Sequence, residues 1–177
     1  MLKSAVINFL IVLGIASVQL AFIGGLPDIF TGLNLIIAAL VFTLALKDFS
    51  SAAIIAVGVG LVEDIYSFQP FGLHLFSLFL TLLIINFLYV SFFTNRSLYS
   101  FVALATLGNL IYIFLEKIAS LGLNYYLGAG EGLALGKNFL FSALNSVILN
   151  IFFIIAVFYI INFISQRFKP VFLVRRG

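Results

Sequence analysis

The sequence predicts an all-α integral membrane protein with six transmembrane helices and both termini in the cytoplasm. Hydrophobic residues make up 64% of the 177 residues and charged residues only 8%, with a mean hydropathy of +1.28. Soluble domains carry about 25% charged residues, so a water-exposed surface would contain large apolar patches. Apolar stretches of roughly the 20 residues that cross a bilayer recur along the chain. These stretches are predicted to be helices, because backbone groups in hydrocarbon must pair within their own segment.

The six helices are predicted to form a single domain over residues 1–177, separated by short breaks that contain charge, proline or glycine. A Gly-rich stretch at about 124–137 separates the last two helices. A basic tail follows the sixth helix at about 166–177. The predicted spans are, in order, about 4–23, 30–46, 50–67, 71–93, 98–123 and 138–165.

The distribution of lysine and arginine predicts the orientation of these spans, because basic residues are retained on the cytoplasmic side. With six spans, the opposite loops hold Lys137 alone. Both termini are therefore predicted to be cytoplasmic, and the basic tail is expected to be attracted to anionic lipid or to a cytoplasmic partner. The residues on the predicted cytoplasmic side are Lys3, Lys47, Arg96, Arg167, Lys169, Arg175 and Arg176.

Two acids stand within the long apolar run between Asp48 and Arg96. Glu63 and Asp64 are the only charged residues in that run, and the single histidine, His74, follows ten residues later. An ionised carboxylate near the middle of a bilayer costs about 2.5–3.5 kcal/mol on insertion scales, so such residues normally face protein, water or a partner. Both acids lie near the outer end of the third span, and His74 begins the fourth span on the same side.

Helical spacing separates the two acids. Gly60 and Asp64 are four residues apart and share one face of the helix, whereas Glu63 points about 100° away. A small residue such as Gly60 lets a neighbouring helix approach closely in a membrane. We therefore expect Asp64 to face the bundle and Glu63 to lie nearer the loop and the interface.

Further polar residues are predicted to gather on the outer side. Asn109, Tyr112 and Glu116 are spaced at i, i+3 and i+7 and form one stripe on the fifth helix. The neighbouring Lys117 is predicted to extend towards the headgroups, and Asn34 lies one turn into the second span. The alternative interpretation is structural, with helix-end charges neutralised by one another or by headgroups.

Motifs for catalysis are missing from this sequence. There is no P-loop, no nucleophile elbow and no cysteine, and His74 has neither a triad partner nor the spacing of a zinc-binding helix. A membrane aspartyl protease needs a second aspartate within a helix, but Asp28 and Asp48 fall in predicted loops on opposite sides. We expect no enzymatic activity, no metal, no cofactor and no nucleic acid partner.

One segment resembles a known family. The run from Gly60 to Gly72, with Asp64 four residues after Gly60 and eight before Gly72, is similar to the signature of MreD, the bacterial rod shape-determining membrane protein. In that family the glycine and aspartate close one helix and the second glycine opens the next. Asn34 stands where the family has a Pro-Asn or Pro-Asp pair, but Leu33 replaces the proline. The resemblance covers residues 27–80.

The resemblance implies a non-enzymatic component of the cell-elongation complex in the bacterial cytoplasmic membrane. Such a protein binds the bitopic protein MreC and helps to couple cytoplasmic MreB filaments to peptidoglycan synthesis by a RodA-type synthase. The family has no catalytic residues to transfer to this chain. On this interpretation Asp64 fixes the turn between the third and fourth helices or accepts a hydrogen bond from a partner.

A second interpretation is the substrate-binding subunit of an energy-coupling-factor vitamin transporter, whose fold the resemblance to MreD also implies. Such a subunit has about this size, six helices and an outward-facing pocket. Such a subunit docks through an Ala-x3-Ala pattern on its first helix, and this pattern is missing here. The nearest substitute is Ser17 followed by Ala21 at the same spacing. A third interpretation is a bundle-forming subunit of another complex. The pocket residues on the transporter interpretation are Asn34, Asp64, His74, Glu116 and Lys117.

Overall fold

A computed structural model describes residues 2–27, 30, 32–67, 69–93, 97–126 and 137–168. All regular secondary structure in these residues is helical. Helix α1 continues directly into a π-helical segment at Val18–Ile23. The α-helices are α1 (Leu2–Ser17), α2 (Leu35–Leu46), α3 (Phe49–Tyr66), α4 (Leu73–Ser91), α5 (Leu98–Tyr126) and α6 (Lys137–Phe168).

Four of these helices are long and apolar enough to cross a membrane, as expected for a multi-pass membrane protein. They comprise α3, α4, residues Leu98–Gly122 of α5 and residues Phe139–Ile161 of α6. The first two predicted spans correspond to shorter apolar helices, Leu10–Ile23 and Leu35–Leu46. Large apolar side chains such as Phe87, Phe141 and Phe152 are more than 60% exposed on the outside of the bundle, which suits contact with lipid rather than with water.

Helix α2 is shorter than the predicted span at 30–46, because it begins only at Leu35. The side chain of Asn34 caps it by accepting hydrogen bonds from the backbone N–H groups of Ile36 and Ile37, each at 3.1 Å. Such a cap requires non-helical backbone at the capping residue, and Asn34 is extended with φ −112° and ψ 91°. The 12-residue helix spans about 18 Å at 1.5 Å per residue, less than the roughly 30 Å of hydrocarbon.

Helix α2 lies at the centre of the bundle, where it contacts all five other helices. Its side chains are buried on more than one face, including Ile36, Ile37, Leu40 and Val41, each exposed by 1% or less. An apolar surface all round is typical of a helix enclosed by others. The other helices therefore pack around α2. The capped N-terminus of α2 faces a polar site at one end of the bundle.

The remaining boundaries shift by a few residues. Helix α4 occupies Leu73–Ser91 rather than 71–93, and α5 and α6 extend past their predicted ends to Tyr126 and Phe168. Residues 127–136 of the Gly-rich connection and 169–177 of the basic tail lie outside the described residues, as do Asp28 and Arg96.

Candidate functional site

Polar side chains from several elements of the bundle line one cavity of about 350 Å³. The cavity lies at the end where α3 ends and α4 begins. Each of α3, α4, α5 and α6 contributes to its wall, together with the π-helical segment and the turn before α2. The residues singled out in the sequence that line this cavity are Asn34, Glu63, His74, Asn109, Tyr112 and Glu116, and they are joined by Gln19, Ser142 and Ser146.

Asp64 caps α4 from the end of α3. Its Oδ1 accepts a hydrogen bond from the backbone N–H of His74 at 2.9 Å, and its Oδ2 accepts one from Leu75 at 3.2 Å. These are two of the N–H groups that a helix leaves unpaired in its first turn. The N-capping residue itself is Gly72, which has no side chain to accept them. Asp64 therefore takes the role of the missing cap and also places a negative charge at the positive end of the α4 dipole.

The two glycines of the motif complete the same turn. Gly72 adopts φ +96°, a left-handed conformation that costs other L-residues about 1–2 kcal/mol. A Cβ on Gly60 would lie 2.6 Å from the Cα of Leu75, so the missing side chain lets the first turn of α4 rest directly on α3. Gly60, Asp64 and Gly72 thus form one structural unit that fixes the geometry between these helices.

Glu63 differs from expectation. The sequence predicts a position near the interface, but the residue is only 9% exposed and lines the polar cavity. Helix α3 contacts α1, α2 and α4, so neighbours surround more than one of its faces and residues 100° apart are both buried. Glu63, and not Asp64, is therefore the α3 carboxylate that faces the cavity.

His74, Tyr112 and Glu116 form a second polar cluster in the cavity lining. His74 Nδ1 lies 3.1 Å from the hydroxyl oxygen of Tyr112 and 3.9 Å from Glu116 Oε1. The His74 side chain is 12% exposed and that of Glu116 is 34% exposed. Tyr112 and Glu116 face the same space, as the predicted stripe on the fifth helix requires.

A hydrogen-bond network ties the turn before α2 to α6. Asn150 Nδ2 donates to the carbonyl oxygens of Gly32 at 3.2 Å and of Ser146 at 2.8 Å, while Asn150 Oδ1 accepts from the backbone N–H of Asn34 at 3.1 Å. The hydroxyl of Ser146 donates to the same Gly32 carbonyl at 2.6 Å. The sequence reasoning missed Ser146 and Asn150, although their i, i+4 spacing within an apolar helix is a detectable signal.

Gln19 makes a second connection to this turn. Its Nε2 donates to the carbonyl oxygen of Leu33 at 3.2 Å, and its Oε1 accepts from the backbone N–H of Leu35 at 2.9 Å. Gln19 belongs to the π-helical segment, a conformation often found at functional sites. The connection holds the end of α1 against the start of α2 and closes one side of the cavity.

Lys117 lies beside the main cavity rather than in it. It lines a smaller cavity of about 240 Å³ with Gln69 and Ser120. Ile113, Glu116 and Phe139 separate the two spaces, since they line both. Lys117 is half-buried in this position.

Among the described residues, no His, Cys, Asp and Glu side chains form a group of three that could hold a metal ion. No family model, curated protein or solved structure matches the chain. The fold and the site define a multi-pass helical membrane protein with a polar cavity at one end of its bundle.

Proposed function

We propose that this chain is an MreD-type component of the bacterial cell-elongation complex, located in the cytoplasmic membrane with six spans and both termini in the cytoplasm. The observation that carries the proposal is the motif of Gly60, Asp64 and Gly72. All three residues act in one turn: Gly60 admits the backbone of Leu75, Asp64 caps α4, and Gly72 supplies the left-handed residue. The proposal is supported by this spacing because each of the three residues has a separate physical role in the turn.

In this role the protein binds an MreC-type bitopic protein and helps to connect MreB filaments with a RodA-type synthase. The exposed apolar surface of the outer helices supports a lateral partner within the membrane, because it offers van der Waals packing to another helix. The basic tail from 166 to 177 is assigned to anionic lipid on the cytoplasmic side. The proposed role requires no catalytic group and no cofactor.

Co-purification tests this proposal. The chain is tagged and co-expressed with the MreC-type protein of the same genome, and with an unrelated bitopic protein of similar size as the control. We expect the MreC-type protein to elute with the tagged chain after detergent extraction, whereas the control stays in the wash. Equal recovery of the two bitopic proteins would contradict the proposal.

The cavity itself favours a second candidate, the substrate-binding subunit of an energy-coupling-factor transporter. A space of about 350 Å³ lined by Glu63, His74 and Glu116 falls within the range of roughly 300–1,000 Å³ that small-molecule sites occupy. Such a subunit works only with its energising ATPases and their membrane partner. Co-elution of the tagged chain with an ATPase pair, and not with a bitopic protein, would favour this candidate.

A further inference from the structure

Two residues that line the polar cavity carry buried acceptor oxygens without a hydrogen-bond partner in the described part of the chain. Glu63 Oε2 and Asn109 Oδ1 are buried and have no hydrogen-bond partner among the described residues. Glu63 is 9% exposed and Asn109 is fully buried, and both line the cavity. An unpaired buried acceptor costs about 1–3 kcal/mol, and such groups normally have a partner. A bound molecule with donor groups would supply it.

The orientation of Asn109 follows from the hydrogen bonds around it. Ser146 has a single hydroxyl hydrogen, which it donates to the carbonyl oxygen of Gly32 at 2.6 Å. The amide group of Asn109 that meets the Ser146 oxygen at 2.8 Å must therefore be the Nδ2 donor. The carbonyl oxygen of Asn109 therefore points away from Ser146. The hydrogen bonds around Ser146 thus explain why this oxygen has no partner.

The ionisable side chains of the cavity also indicate a ligand that donates hydrogen bonds. Two carboxylates, Glu63 and Glu116, line the cavity, and no lysine or arginine of the described residues does so. Among the described residues that line the cavity, His74 alone has a side chain that can become cationic. Its Nε2 is also buried without a hydrogen-bond partner. The cavity lining is therefore rich in acceptor and carboxyl groups, and among the described residues it lacks a fixed positive partner.

We infer that this cavity is a binding site for a small organic cation with a primary ammonium or guanidinium group. An ammonium carries three donors and no acceptor, and a guanidinium carries five donors and no acceptor. Either group matches a wall that offers Glu63 Oε2, Asn109 Oδ1 and the carboxylate of Glu116. The hydrogen bonds would be charge-assisted, which makes them roughly twice as strong as neutral ones. This inference depends on the chemistry of the cavity alone and holds for either candidate function.

Direct binding to the purified full chain tests the inference. The protein is placed in nanodiscs of zwitterionic lipid, so that the probes do not bind anionic headgroups, and titrated by calorimetry. The cationic probes are cadaverine, which has an ammonium at each end, and agmatine, which has one ammonium and one guanidinium. The matched controls are 1,5-pentanediol, which is neutral, and glutarate, which is anionic. We expect saturable binding of cadaverine or agmatine at one site per chain, and none of the diol or of glutarate.

Isosteric variants locate the site. Glu63→Gln keeps the shape of the side chain and replaces an acceptor with a donor, so we expect about a tenfold or greater loss of affinity for the cation. Glu116→Gln provides a second, partly exposed position should the first variant fail to fold. Asp48→Asn removes one negative charge at the opposite end of α3, where the residue is exposed, and we expect wild-type affinity from it.

Three results would overturn the inference. They are the absence of saturable binding of both cations to the wild-type chain, equal binding of cadaverine and 1,5-pentanediol, and an equal effect of Glu63→Gln and Asp48→Asn. Because the experiment uses no partner protein, its failure would leave the test of the elongation role unaffected. A successful titration would likewise be independent of MreC.

Discussion

Replacement of Asp64 by alanine should destabilise the protein more than the same change at any other acidic residue that the structure describes. The carboxylate is 4% exposed and accepts hydrogen bonds from the N–H groups of His74 and Leu75. Loss of a capping side chain costs about 0.5–2 kcal/mol, and each buried donor left unpaired adds to this. We expect Asp64→Ala to lower the free energy of unfolding by about 2–4 kcal/mol.

The chain offers a matched control for this substitution. Asp48 occupies the N-cap position of α3 but makes no capping hydrogen bond through its side chain, so Asp48→Ala should change stability by about 0.5 kcal/mol or less. Asp64→Asn keeps one acceptor oxygen and should show roughly half of the alanine effect. Unfolding is followed by far-ultraviolet circular dichroism in detergent, because the chain has no tryptophan. Equal stabilities of Asp64→Ala and Asp48→Ala would refute the capping role.

Three further destabilising substitutions and one control test other contacts by the same measurement. Gly60→Ala places a Cβ 2.6 Å from the Cα of Leu75 and should cost about 1–3 kcal/mol, whereas Gly122→Ala, with nothing within 4 Å, should be neutral or slightly stabilising. Gly72→Ala, also with no neighbour within 4 Å, should cost about 1–2 kcal/mol from φ alone. Asn150→Ala removes both the donor and the acceptor that join α6 to the turn before α2 and should cost about 2–4 kcal/mol. Stability within about 0.5 kcal/mol of wild type would contradict each expected loss.

Helix spacing predicted part of the site because it depends only on local geometry. The pairing of Gly60 with Asp64 on one face, and the stripe of Asn109, Tyr112 and Glu116, follow from the helical repeat. Both features are present in the structure, where Asp64 faces α4 and the stripe faces the cavity. The approach of polar residues to one end of the bundle followed from the order of the spans.

Predicting the burial of Glu63 and the first residue of α2 requires information that helical spacing does not contain. The prediction for Glu63 assumed one buried face, but α3 has neighbours on several sides. The prediction for α2 treated residues 30–46 as one apolar stretch, whereas Asn34 ends the non-helical turn by capping Ile36 and Ile37. In a chain this apolar, hydrophobic periodicity cannot separate a lipid-facing side chain from a buried one.

The polar contacts between helices were the least predictable feature. Gln19, Ser146 and Asn150 meet the turn before α2 only after the bundle has formed, and they are 14 to 118 residues away from their partners in sequence. The sequence around each of these three residues does not indicate which group it will hydrogen-bond. The requirement that buried polar groups be paired explains their positions once the fold is known.

Affinity purification of the tagged chain from native membranes, with identification of the co-eluting proteins, tests the proposed role in cell elongation most directly. We expect enrichment of an MreC-type bitopic protein and of a RodA-type synthase over an untagged control. Enrichment of an ATPase pair without either of these proteins would contradict the elongation role and favour the transport candidate.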